Sequence, residues 1–177
     1  MIHTSEKTER HAAMRCAELM AAAARTAPKA CAVDMIETLV LDGEDKDRLS
    51  TVMRRIGTEA DKPFFVRDAG NIDACHCVVL VAGVVDSRAL DCGFCGIDDC
   101  ASARQAGIAC AVAVTDIGIA LSSAALCAMD HRMDNRVLFT AGLAALDMGL
   151  FDEDVQVCYG LGLSVMGKNI FFDRQGL

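Results

Sequence analysis

Ten cysteines stand in this chain of 177 residues, and four of them lie close together. The string CGFCGIDDC runs from Cys92 to Cys100 and is followed by Cys110, giving the spacing C-x2-C-x4-C-x9-C. Thiolates are soft ligands that suit iron–sulfur clusters or zinc, and four complete the coordination of either. An x2 pair binds across one tight turn. Gly93 and Gly96 let the backbone come close and turn its amides toward cluster sulfurs. Structural zinc sites pair two short knuckles, or a knuckle with histidines. Here one knuckle is followed by single cysteines, with no histidine between Cys92 and Cys110. The pattern favours one 4Fe-4S cluster on Cys92, Cys95, Cys100 and Cys110 and one-electron transfer as its chemistry. The alternative is a zinc-stabilised structural or interaction protein without redox activity. The fourth ligand stays open, because Cys75 or Cys77 could replace Cys110.

Other candidate groups have plainer readings. Cys16, Cys31, Cys127 and Cys158 lie in or beside apolar segments, where cysteine packs as a small hydrophobe. Cys75 and Cys77 flank His76 at the mouth of a strand. The G-x-G of Gly160 to Gly162 has no helix after it, so it is not a dinucleotide fingerprint. Asp130, His131 and Arg132 close an apolar helix, where the basic pair suits helix C-terminal electrostatics better than catalysis. No catalytic residue is assigned, and spacing does not decide whether the chain is an enzyme.

Composition narrows the classes further. Hydrophobic residues make up 53% before the 14 glycines are added, against ~45–50% with glycine included in ordinary domains. That excludes disorder and points to more buried surface than one small monomer offers. The net charge of −8 and the absence of any basic run longer than Arg54-Arg55 speak against nucleic acid and against a polybasic membrane anchor. Trp is absent and Tyr occurs once, so base-stacking platforms are lacking. The longest uncharged stretch, Ile117 to Met129, is 13 residues against the ~18 a spanning helix needs. The start MIHTSEKTER is charged where a signal peptide is apolar. A cytoplasmic protein is expected, and there clustered cysteines are metal or redox ligands rather than disulfides.

The elements that must carry these residues form one domain, 1–177. A helix over 5–26 carries Ala13, Ala17, Met20, Ala21 and Ala24 on one face and stops at Pro28. Met35 to Leu41 reads as a strand, followed by a helix with Leu49, Val52, Met53 and Ile56 and then a short strand at Phe64 to Val66. Cys77 to Val85 is an unbroken β-branched run, the mark of a strand buried on both faces. Residues 86–114 form a cysteine-rich insertion. Two apolar helices follow, one on Ile117, Leu121, Ala124, Ala125 and Ala128, the other on Val137, Ala141, Ala144, Ala145 and Met148. Val155 to Tyr159 is the last strand. The fold class is mixed α/β.

Several strings resemble known proteins. C-G-x-C-G-x-x-x-C is similar to the 4Fe-4S domain of the corrinoid iron–sulfur protein and of Rnf-type electron-transport subunits. The pieces RTAPKA, FVRDAGNI, DCGFCG, TDIGIALSSA, DHRMDNRVLFTAG and GKNIFFDR, which are spread along most of the chain, resemble a prokaryotic family described as containing a ferredoxin domain.

The element order also resembles the flavin-dependent nitroreductases: an Ala-rich helix, AP and a strand, then strand, insertion, D-x-G-x-A helix, second helix and final strand. That likeness implies an α/β (α+β) nitroreductase-like fold with a 4Fe-4S insertion, a homodimer, and FMN as a second cofactor. The R-x-S-x-R and Q-P-W motifs of those enzymes are absent. The resemblance then leaves Lys168, Arg174 and Arg25 as the groups to meet a flavin phosphate, with an electron-transfer partner unidentified.

Overall fold

The computed structural model describes residues 1–172. Helix α1, Ser5–Thr26, begins where the Lys7 amide donates to the Thr4 hydroxyl at 3.4 Å and ends at Ala27, ahead of Pro28. A 3-10 turn, Ala30–Ala32, leads to β1, Ile36–Leu41. Helices α2, Gly43–Glu59, and α3, Pro63–Ala74, come next, then β2, Cys77–Gly83. A long loop with the short helix α4, Cys100–Gln105, precedes α5, Ala111–Asp130. Strand β3, Asp134–Leu138, runs straight into α6, Phe139–Asp147, and β4, Val157–Ser164, completes the sheet.

The sheet has the order β1-β2-β4-β3 and every pair is antiparallel. Period-two geometry sends Cys77, Val79, Val81, Leu161 and Leu163 to one face, under α1 and α5. Val78, Leu80 and Ala82 face α2, α3 and α6 on the other side. All seven residues of β2 are therefore buried, which is why its sequence shows no polar alternation. Each fully buried Leu or Val contributes about 1.5–3 kcal/mol.

Helix α6 lies so close to β4 that a Cβ on Gly142 would stand 1.8 Å from the Cys158 carbonyl oxygen, and one on Gly160 2.7 Å from the Ala141 Cβ. Gly160 of the G-x-G thus admits α6, while a Cβ on Gly162 would stand 2.7 Å from the Cys75 sulfur.

Three expectations are corrected. Phe64 to Val66 is helical, because Pro63 starts α3 and Phe65, Ala69 and Ile72 share its buried face. Val137 belongs to β3, whose ladder with β4 pairs it with Leu161. No turn separates strand from helix there, so the helical spacing of α6 runs on into the strand by coincidence. The last strand extends to Ser164 because the glycines at 160 and 162 do not end it.

Helix α5 is long and apolar enough to cross a membrane by length and composition, with Asp116 inside it. In the fold it is a core helix, with Ala113, Ile117, Ala120, Ala124 and Ala128 buried against α1 and the sheet.

Candidate metal centre

The cysteine loop leaves the C-terminal end of β2 and returns to the start of α5, and its two ends are tied together. The Cys110 amide donates to the Val85 carbonyl at 2.9 Å, and the Val85 amide donates to Gln156 Oε1 at 3.0 Å. Between these ties the backbone turns left-handed at Ala89 (φ 52°), Asp91 (46°), Gly93 (68°) and Gly96 (84°). Glycine takes such φ values freely, whereas for alanine and aspartate they cost of order 1–3 kcal/mol. These reversals fold the loop back on itself, and the Gly96 amide donates to the Gly93 carbonyl at 2.9 Å.

Within the loop Asp91 and Cys100 hold each other. The Asp91 amide donates to Cys100 Sγ at 3.3 Å, and the Cys100 amide donates to Asp91 Oδ1 at 2.7 Å. Asp99 caps α4, accepting from the Ser102 amide and hydroxyl, each at 2.8 Å. Those bonds, the amide first, hold the Asp99 carboxyl below the usual carboxylate range. Cys100 is thereby fixed as the first residue of α4.

Cys92, Cys95, Cys100 and Cys110 all line one small cavity, closed by Ile97, Ala103 and Ile108. Cys110 sits immediately before α5. Burial pushes its thiol up, but the amides of Ala113, Arg88 and Val112 and the Arg88 charge outweigh this and bring it below the ordinary thiol value. The deeply buried thiols behave in the opposite way. Desolvation pushes Cys16 up to about 11 and Cys75, Cys77 and Cys158 up to about 12, so they stay protonated. Among the described residues no three Cys, His, Asp or Glu side chains are gathered tightly enough for a single metal ion.

Cys75 and Cys77 are not near this cavity. Cys77 opens β2 opposite Leu163, while the loop departs beyond Gly83 opposite Val157, so the length of the strand, roughly 20 Å, lies between. Of the expected flavin-phosphate set, two members lie within the described residues. The Arg25 guanidinium donates to the Ile36 carbonyl and pairs with Asp34 at 3.2 Å, at the cysteine-loop end of the sheet. Lys168 lies in the exposed stretch after Ser164, at the opposite end. Arg174 lies outside the described residues.

Sequence reasoning passed over Arg88 and Asp116. Their side chains are each 4% exposed and 3.5 Å apart, and Asp116 Oδ1 also accepts the Ala30 amide at 2.9 Å. The available signal was Asp116 itself, the one charge in the otherwise uncharged run from Ala111 to Met129.

A family model described as "uncharacterized protein containing a ferredoxin domain" matches residues 106–174, which include Cys110 and begin just after α4. A protein of Archaeoglobus fulgidus is 33% identical over 180 residues, spanning 96% of each chain. Among solved structures, the nitroreductase CinD from Lactococcus lactis, in complex with nicotinic acid, superposes with a TM-score of 0.63 at 13% identity. It covers 94% of this chain, which spans 81% of it. A nitroreductase with bound FMN from Desulfitobacterium hafniense gives 0.58 at 17% identity, covering 95% of this chain and 81% of its own. Against larger neighbours of the same fold the chain spans as little as 58% of their length. The fold is nitroreductase-like, and the chain carries in addition a cysteine loop.

Proposed function

Since this chain belongs to the family described as uncharacterized proteins containing a ferredoxin domain, we propose that it is a redox protein whose loop cysteines hold one 4Fe-4S cluster. The observation that carries the reading is that Cys92, Cys95, Cys100 and Cys110 all line one cavity, in a loop whose Gly93 and Gly96 take positive φ. One C-x2-C pair followed by single cysteines, with no histidine between Cys92 and Cys110, is unlike the paired knuckles of structural zinc sites. When bound, such a cluster supplies reversible one-electron transfer.

The chain's own residues have separate tasks in this reading. Asp91 and Asp99 fix Cys100; the Val85 carbonyl fixes Cys110; Gly93 and Gly96 supply close backbone approach. Residues 86–114 act as a cluster-bearing insertion in a single domain, and no residue outside it is assigned to catalysis.

The second redox group in the proposal is FMN, by analogy with the flavin-bearing neighbour. Lys168 and Arg25, both exposed, are the described members of the expected phosphate set. The assembly we propose is a homodimer. Val114, Ile119, Leu126 and Met129 form an exposed apolar arc along α5, the kind of face that a second copy covers.

Anaerobic purification followed by visible spectroscopy and metal analysis tests the reading. A broad visible absorption bleached by dithionite, with iron and acid-labile sulfide in equal amounts, supports it. A colourless protein containing stoichiometric zinc overturns it in favour of the structural alternative.

A further inference from the structure

Arg88 and Asp116 form the buried ion pair nearest the cysteine cavity, and its geometry is incomplete. Both side chains are 4% exposed, yet Arg88 Nε and Asp116 Oδ2 stand 3.5 Å apart, and neither has a hydrogen-bond partner among the described residues. A buried pair recovers its desolvation cost only when geometry and hydrogen bonding are good. Arg88 Nη1 donates to the Asp86 carbonyl at 3.4 Å, while Nε, the atom that faces Asp116, is left without a hydrogen bond.

What lies beside Arg88 is the thiol cavity. Ser87, its neighbour in sequence, lines that cavity, and the Arg88 amide points at the Cys110 sulfur. Four thiolates outweigh the positive charge of an iron–sulfur core, and each electron added makes the site more negative. The remaining nearby side chains, Asp86, Asp91, Asp98 and Asp99, are acidic. Arg104, the other cation of the loop, is 62% exposed and turned to Asp86 at 3.2 Å. Arg88 is thus a buried cation, next in sequence to the cavity-lining Ser87, whose charge reaches Cys110.

Asp116 is placed to hold that cation. Its Oδ1 accepts the Ala30 amide at 2.9 Å, which anchors the carboxylate to the 3-10 turn while Oδ2 faces Arg88. The turn itself is costly, with Cys31 and Ala32 at φ 56° and 55°, so the anchor holds a defined rather than a slack segment.

Resting on the cluster reading above, we propose that Arg88 is the charge-compensating residue of the reduced centre and that Asp116 positions it and moderates its charge. The pair is a built-in setting of the reduction potential. Removing the cation makes the added electron less favourable, and removing the anion makes it more favourable, so the two variants move the potential in opposite directions.

The test is a mediated titration of reconstituted protein with dithionite as the one-electron reductant, read by the visible spectrum, alongside iron content and a thermal melt. Arg88→Met shifts the midpoint to more negative potential, Asp116→Asn shifts it to more positive potential, and Arg88→Lys stays near wild type. Should Arg88→Met fail to fold, the Asp116→Asn shift and the Arg88→Lys rescue carry the test. Shifts of the same sign, or none, with full iron content assign the pair to structure alone and overturn the inference while the cluster reading stands. A wild-type protein that takes up no iron and sulfide overturns that reading, and the inference falls with it.

Discussion

Asp91 and Cys100 are joined twice, by an amide-to-sulfur bond of 3.3 Å in one direction and an amide-to-carboxylate bond of 2.7 Å in the other. Asp91 takes a left-handed φ of 46° to make both. Strain that an aspartate bears to face a thiol is well spent only if the thiol must point one way. Replacing Asp91 with alanine removes the carboxylate acceptor, leaves the Cys100 amide unpaired and lowers iron retention against a chelator. Asp91→Asn keeps a carbonyl acceptor and retains more iron than Asp91→Ala. Equal retention in both would show that the carboxylate geometry does not matter.

Single serine replacements at Cys92, Cys95, Cys100 and Cys110 each lower iron content, because each removes one wall of the cavity that the thiols share. Alanine at Cys127 or Cys158 leaves iron content unchanged, since neither approaches that cavity. Iron per chain after anaerobic reconstitution checks the whole set. Full occupancy in Cys110→Ser would move the fourth ligand elsewhere.

The buried thiols impose a pH dependence. Cys75, Cys77 and Cys158 are pushed up to about 12 by burial, so the folded state favours the neutral thiol. Below the ordinary thiol pKa both states are protonated and the stability is fully present. Above it the unfolded chain loses protons first, and stability falls as pH rises from about 9 toward 12. Each thiol adds up to about 1.4 kcal/mol per pH unit to that slope. Denaturant titrations at increasing alkaline pH check this, with Cys158→Ala giving a shallower decline than wild type.

Gly142→Ala tests the closest helix–strand contact. Its Cβ would stand 1.8 Å from the Cys158 carbonyl oxygen, and backbone rather than a flexible side chain must yield. Overpacking of this kind costs about 3 kcal/mol or more. Chemical denaturation reads the loss directly, and a variant as stable as wild type would mean that α6 and β4 are further apart.

The apolar arc on α5 gives an assembly prediction. Leu126, 58% exposed, lies within it, and Leu126→Glu places a charge where a second copy would pack. Light scattering of wild type gives a dimer and of the variant a monomer. A monomeric wild type at working concentration contradicts the proposal.

Much of this molecule was legible in its sequence, for identifiable reasons. Met20 and Ala24 marked α1 because helical periodicity over 22 residues is hard to mistake. The unbroken run of β2 announced burial on both faces. Phe64 to Val66 misled because three apolar residues carry no period, and Pro63 was the better guide. Val137 misled because β3 joins α6 without a turn residue. The C-x2-C-x4-C knuckle and Cys110 were visible at once, whereas the distance of Cys75 and Cys77 from the loop came only with the antiparallel register of β2 and β4. Arg88 was invisible, since only the fold returns it to Asp116 and buries both.

Native mass spectrometry of anaerobically prepared protein, sprayed without denaturation, tests the central claim most directly, because it weighs whatever the four thiols hold. The account predicts one adduct per chain with the mass of four irons and four sulfides, lost in the Cys92→Ser and Cys100→Ser proteins. A chain carrying a single zinc ion on the same cysteines, with no sulfide, would contradict it.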